Sequence, residues 1–339
     1  MKKRNEKEKL SHSNLCWSLK VCRSQEGMVK NMKNENDSNL TDEKIQVDLG
    51  KEREFSQKQI LCFILLGVVF ILFRIVPGGT QSKYLRLLVV LIIIGGFGLL
   101  YKFTQVRKKN REYYNEQIVK KAVQTLLPDA NIEPDRFVDD VMLWKLGVIP
   151  RYNNAKGSYL LEYSRKEKRL SLSNLVLKLD IEGNQNGPRT VFEGQVYTLA
   201  YKSYIPGHVR IISKIRTDKN KRERLAGRNE LIYGEKEIGI SNSRFIDNFK
   251  VYASSEEDAR EVLTPSVIEQ LLNIKDRYGV FNVSVKGSEI VFVLSSMNKF
   301  LELSMTKNSQ SISIENTINE IKNNLDFAQN IEDRINEGE

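Results

Sequence analysis

Residues 190–203 read TVFEGQVYTLAYKS and residues 208–215 read HVRIISKI. β-Branched and aromatic residues recur in both at a period of two, the pattern of strands with a face in a core. Pro206-Gly207 interrupts them, and His208 opens the second run. Working outward, SYLLEYS at 158–164 and LVLKLDIE at 175–182 carry the same signal. The clusters Gly183-Asn184 and Asn186-Gly187-Pro188 read as turns. A mostly antiparallel sheet is therefore expected.

Downstream, a short strand is expected at 249–253, then a helix capped by Ser255 with Asp258 as partner. Thr264-Pro265 starts a longer helix, because Thr is a good N-cap and Pro suits the first helical position. Tyr278-Gly279 ends it. VFNVSV (280–285) and EIVFVLS (289–295), split by Lys286-Gly287-Ser288, predict a hairpin. Apolar residues at 314, 318, 321, 325, 328, 331 and 335 predict a long acidic helix with one apolar stripe, packed on its own domain or pairing with a second copy.

Upstream, Tyr114, Ile118, Ala122 and Leu126 repeat at helical spacing until Pro128. A second helix is expected from Pro134, with Phe137, Val138, Val141 and Trp144 on its apolar side. The fold class is α+β.

Two further helices precede these. Residues 59–76 read QILCFILLGVVFILFRIV and residues 84–103 read YLRLLVVLIIIGGFGLLYKF. Both are apolar on every face, and at about 1.5 Å per residue both match a bilayer core. Pro77-Gly78-Gly79 separates them, so a transmembrane hairpin is expected. Lys44, Lys51, Arg53 and Lys58 precede it, and Lys102, Arg107, Lys108, Lys109 and Arg111 follow. Arg74, Lys83 and Arg86 are fewer on the turn side, so both termini are expected in the cytoplasm of a cell membrane protein. The expected division is a polar disordered tail 1–58, the hairpin 59–103, juxtamembrane helices 104–150, an α+β domain 151–305 and the helix 306–339. Glu26-Gly27 can be encoded by a ribosome-binding sequence, which offers Met32 as an alternative start; the mass of the native N-terminus decides this.

The chain of 339 residues carries a net charge of +10, and much of that excess flanks the apolar block. The basic balance therefore reads first as topology and only second as a nucleic-acid signal. Cysteine occurs at 16, 22 and 62, so residues 104–339 can hold no thiol nucleophile and no cysteine zinc site. No phosphate-binding glycine loop, dinucleotide fingerprint or serine elbow is present, and no cofactor is expected. Asp139-Asp140 and Glu256-Glu257-Asp258 are acidic pairs and triplets best read as acids at helix starts.

One basic run stands out: Lys214, Arg216, Lys219, Lys221, Arg222, Arg224 and Arg228 against Asp218 and Glu223. It is expected as a solvated loop; tethered beside a bilayer, it could also contact anionic lipid. Nucleic acid is the weaker partner, because no aromatic side chains are interleaved for stacking.

Phe192-Glu193-Gly194, FIDNFKVYA at 245–253 and DAREVLTP at 258–265 resemble the motifs of a bacterial family of membrane-anchored proteins of unknown function. The resemblance extends over residues 55–305 and includes the paired N-terminal membrane helices. Asp258 stands where glutamate is usual, and Glu261 where an aromatic residue is. The resemblance implies architecture and brings no catalytic residue. It suggests structural roles for Phe192, Glu193, Gly194, Phe245, Phe249, Tyr252, Asp258, Arg260, Thr264 and Pro265. Arg260 is expected as a buried salt bridge or carbonyl clamp at the strand-to-helix corner, or as an anion contact at the following helix start.

The expected function is that of a membrane-anchored cytosolic module binding another protein. The alternatives are a tethered enzyme using carboxylate and arginine, and a headgroup sensor working through the basic run. An enzyme would show a concave site with converging titratable groups, and a binding module an open groove or sheet edge.

Overall fold

The computed structural model describes residues 111–165, 168–180, 187–216, 223–232, 234–297, 299–301 and 314–336, with isolated positions between 95 and 109. The tail 1–58 and almost all of the apolar hairpin 59–103 lie outside the described residues. Among the described residues, no helix is long and apolar enough to cross a membrane. The chain divides into two compact units, and the fold below is that of the second, Asn115–Ser304 with Ile314–Glu339.

A π-helical turn, Asn115–Val119, leads into α1 (Lys120–Leu126). Leu127 N–H donates to Val123 O, and Pro128 follows, where no further helical amide is available. β1 (Asn131–Glu133) comes next. The helix expected from Pro134 starts later, as α2 (Asp140–Lys145). The carbonyls of Pro134 and Arg136 accept from Tyr159 and Leu160, so this segment turns after Glu133 and is tied to a bulge in its neighbour. Asp139 accepts from Val141 N–H and caps α2; Val141 itself is exposed, and Leu143 is the residue buried.

β2 (Asn154–Arg165) and β3 (Lys168–Leu179) form an antiparallel pair. β3 begins earlier than the apolar run at 175 suggested. Its buried Ser173 accepts from Val138 N–H, and its buried Asn174 bonds both backbone groups of Phe300. Polar residues thus occupy core positions because distant backbone satisfies them.

β4 (Arg189–Arg216) carries two arms joined by a crossing. β3 and residues 289–295 flank the first arm; residues 282–286 and β7 (Phe249–Ala253) flank the second. β8 (Phe281–Ser295) is doubled on itself. Ser295 N–H donates to Val280 O at 2.9 Å, and Phe281 stacks on Phe292 at 4.9 Å. Ends that would lie roughly 45 Å apart in a straight strand therefore meet. The expected hairpin is present, turned at Gly287 with φ 60°. β4 steps over its tip, spending the residues from Ala200 to His208 against those from Glu289 to Lys286. The resulting order is β1, β2, β3, first arm of β4, both limbs of β8, second arm of β4, β7 and β6 (Lys236–Glu237). β5 (Glu223–Leu225) pairs with the end of β4.

α3 (Ser243–Asn248) and α4 (Glu256–Val262) bracket β7, and α5 (Pro265–Tyr278) follows. Ser255 caps α4 and Thr264 caps α5, with Pro265 in the first turn, as the sequence implied. α6 (Ile314–Asn336) buries Ile321, Ala328, Ile331 and Ile335. Its Asn324 bonds Gln195 and Tyr197, and its Asn336 bonds Ala200 O and Lys202 N–H. The helix thereby lies on its own sheet. Leu143, Val148, Leu160, Leu175, Val196 and Val293 belong to one apolar core under the first half of the sheet.

A buried arginine cluster as candidate functional site

The second arm of β4 puts His208 and Arg210 on one face by strand alternation. Neither reaches water freely: the Arg210 side chain is 0% exposed and that of His208 11%. A guanidinium cannot shed its charge, so burial demands partners. Arg210 Nε donates to Glu235 Oε1 and Oε2 at 3.1 and 2.9 Å. Its Nη1 donates to Arg228 O and its Nη2 to Glu230 O, both at 2.7 Å. Tyr252 on β7 lies beneath the plane, 4.1 Å from ring centroid to guanidinium carbon.

Glu235 also meets His208 Nδ1 at 2.9 Å and accepts from Ile232 N–H at 3.1 Å. Burial pushes its carboxyl up, but the bond from His208, the charge of Arg210 and the Ile232 amide outweigh that, leaving it below the ordinary value. On its other side His208 Nε2 lies 2.9 Å from Ser284 Oγ on β8. With Glu235 ionised, Nδ1 is the nitrogen that donates to the carboxylate, and Nε2 shares a hydrogen bond with the Ser284 hydroxyl.

Serine, histidine and carboxylate in a row have the connectivity of a nucleophilic triad. The surroundings do not. Ser284 is 1% exposed within the sheet, and the carboxylate is already held by an arginine. The cluster is built to hold backbone: it ties residues 226–238 to the second half of the sheet. Glycine makes room for it. A Cβ on Gly147 (φ 68°) would stand 2.9 Å from Arg210 Nη1, and one on Gly207 2.2 Å from Asp258 Oδ2.

The residues singled out in sequence are dispersed. Lys214 and Arg216 lie on β4 and Arg224 on the paired strand β5, while Lys219, Lys221 and Arg222 of the expected loop lie outside the described residues. Arg228 belongs elsewhere. Its side chain stacks over Trp144 at 4.6 Å and pairs with Glu230, while its carbonyl serves Arg210. Phe245, Phe249 and Tyr252 are core residues, and Phe192 closes the apolar core. Glu193 pairs with Lys299, and Gly194 permits an approach in which a Cβ would lie 1.9 Å from Leu294 O. Asp258 bonds Ser255 at the start of α4. Arg260 has an 82% exposed side chain, and its ion pair among the described residues is with Glu256, one turn away at 3.5 Å. A position late in a short helix, facing out, gives it no buried backbone to clamp. Asp139 and Asp140 serve α2 as cap and as acceptor from Tyr152 OH. Among the described residues no group of His, Cys, Asp and Glu could hold a metal ion.

A family model described as "Protein of unknown function (DUF3137)" matches residues 190–336, from the first arm of β4 to the end of α6. The matched range spans positions 192–194, 245–253 and 258–265 without testing the motifs read there, and it stops short of residues 59–103. No curated protein matches the chain. Among solved structures, the mycobacterial trehalose monomycolate transport factor A, TtfA, is similar at 10% identity and a TM-score of 0.30, over 62% of this chain and 93% of that one. Residues 190–336 are thus similar to a family of unknown function.

Proposed function

We propose that the chain is a protein-binding module on a membrane anchor formed by residues 59–103, with the sheet domain in the cytoplasm. The observation that carries this reading is the cluster of His208, Arg210, Glu235 and Ser284. The titratable groups that converge do so beneath the segment 226–238 and bond its carbonyls and carboxylate, so that among the described residues they serve to hold backbone. The sheet, by contrast, ends on short strands, β1 and β6, with both residues of β6 exposed. Short exposed edges are where an extended partner segment adds to a sheet.

A photocrosslinking amino acid at Lys236 should give discrete protein adducts in native membranes, while one at Glu269 on α5 should not. Equal labelling from both positions, or none from Lys236, defeats the reading. The anchor has its own test. A cysteine at position 82 should react with an impermeant reagent in intact cells and one at 158 should not; labelling at 158 reverses the orientation.

The basic run supports a second contact. Lys214 and Arg216 on β4 and Arg224 on β5 belong to one antiparallel pair that brackets residues 217–222, with Arg216 opposite Glu223. Vesicles rich in phosphatidylglycerol should sediment residues 105–339 at low salt and lose them when positions 219, 221, 222 and 224 become Ser. Equal sedimentation with neutral vesicles removes the proposal.

A further inference from the structure

Lys236, Lys250 and Lys299 each face an acid: Glu256, Glu237 and Glu193 lie 3.5, 3.3 and 3.2 Å away. Lys275, near the end of α5, is placed otherwise. The positions one turn away along the helix are Leu271, Leu272, Tyr278 and Gly279, so α5 supplies no carboxylate at that spacing. The adjacent Asp276 is taken by Arg244 of α3 at 2.5 Å, and Arg277 lies over the Tyr278 ring at 5.2 Å. What the Lys275 amine meets is the Lys214 carbonyl on β4 at 3.5 Å and the face of Phe249 on β7, 5.1 Å from its centroid. The residue is half-buried, within reach of a small reagent.

An ammonium in such a seat has lost part of its water and gained no counter-charge, and burial pulls Lys275 down to about 8. A neutral amide suits the seat better, because it carries no charge into the fold and keeps one N–H for the Lys214 carbonyl. We propose that Lys275 is a modification site, an amine seated between Phe249 and the Lys214 carbonyl that takes an acyl group from an acyl phosphate. The free-base nitrogen attacks the acyl carbon. A C–N bond forms, the acyl C–O bond breaks, inorganic phosphate leaves, and the surplus proton on nitrogen passes to water. Carbon dioxide fits less well as the electrophile, since a carbamate would set a negative charge against the negative face of the Phe249 ring.

Acetyl phosphate is the probe, on the full-length wild-type chain in detergent micelles, with peptide mass spectrometry as the readout. At about pH 7.5, roughly a quarter of an amine titrating near 8 is free base, against roughly a thousandth of one titrating at about 10.4. A less basic nitrogen is also a weaker nucleophile, as with thiolates, which offsets part of that gain. Lys275 should still acetylate at least about fivefold faster than the exposed Lys156 and Lys202. Its rate should level off above about pH 8, while theirs keep rising towards about pH 10. In guanidinium chloride sufficient to unfold the domain, the three rates should converge, because the difference belongs to the seat and not to the amine. Equal rates in the folded chain overturn the site. So does a pH profile at Lys275 that follows the other two, or an excess that survives unfolding.

Discussion

Two parts of the sheet domain are held by different physics: an apolar core and the segment fastened over the second arm of β4. Under β2, β3 and the first arm of β4, Leu143, Leu175, Leu177, Val196 and Val293 fill a continuous apolar core. Across the second arm, a buried guanidinium and carboxylate, with His208 and Ser284, fasten an otherwise thin segment. An apolar core has no single fastening: removing one side chain costs its area and a cavity, and the rest holds. A buried ion pair is all or nothing, because losing one charge strands the other. The apolar core should therefore lose stability globally and by degrees, and the strap of residues 226–238 locally and at once.

Leu175→Ala should give the largest global loss. The side chain is fully buried, and Leu-to-Ala changes in cores cost about 2–5 kcal/mol. Chemical denaturation of the full chain in detergent should show a lower midpoint with an unchanged slope. If the loss is under about 1 kcal/mol, the apolar core is not the cooperative unit described.

Glu235→Gln should cost less globally. Stranding Arg210 would cost about 3–5 kcal/mol if the strap had to stay closed. Most described side chains of residues 226–238 are exposed or half-buried, so local opening that hydrates the arginine should hold the global loss below about 3 kcal/mol. Acid should mimic the variant. A carboxyl lowered on folding lends stability above its unfolded value, about 4.3, and loses it as pH falls through the folded value. Strap amides should accordingly lose protection below about pH 4, ahead of those in α5.

This contrast also marks where sequence is legible. The first arm of β4, β7, α4, α5 and the β8 hairpin follow from alternation, N-caps and a glycine turn, all local signals. Two kinds of element escaped. The start of β3 hides behind Ser173 and Asn174, whose burial depends on Val138 and Phe300, distant in sequence. α2 starts late because Pro134 and Arg136 lend their carbonyls to β2, a tertiary demand that local propensity does not register. The candidate site was half visible. Arg210 sits between Val209 and Ile211, and a charge inside an apolar strand asks for a buried carboxylate. Which acid answers, among Glu223, Glu230 and Glu235, is decided by the path of the strap, and no spacing encodes that.

A weaker polar contact beside the second arm of β4 should behave oppositely to Glu235. Lys275 on α5 is pulled down to about 8 by burial, with its amine 3.5 Å from Lys214 O and 5.1 Å from the Phe249 ring. Folding is penalised while both states are protonated, and the penalty fades as pH rises from about 8 towards the unfolded value, about 10.4. Lys275→Met should therefore stabilise at pH 7, by under about 1 kcal/mol once the amine's remaining solvent contact is allowed for. Thermal melts at pH 7 and above pH 10 should show the gain shrinking; a gain that grows with pH contradicts the burial argument.

Arg260→Ala should do least of all, and it completes the contrast between two arginines of one domain. Arg210 is sealed and bonded through all three guanidinium nitrogens; Arg260 is 82% exposed, with Glu256 at 3.5 Å. An exposed pair one helical turn apart contributes about 0.3–0.5 kcal/mol, and a cation in the last turn of α4 adds a similar amount through the helix dipole. Solvent and salt screen both, so the variant should melt within about 2 °C of wild type at physiological salt. At that stability, any loss of crosslinking from Lys236 in Arg260→Ala would assign this arginine to partner contact. A melting point lowered by about 5 °C or more would instead mean that Arg260 has buried partners, and the division between a sealed and a solvated arginine would fail.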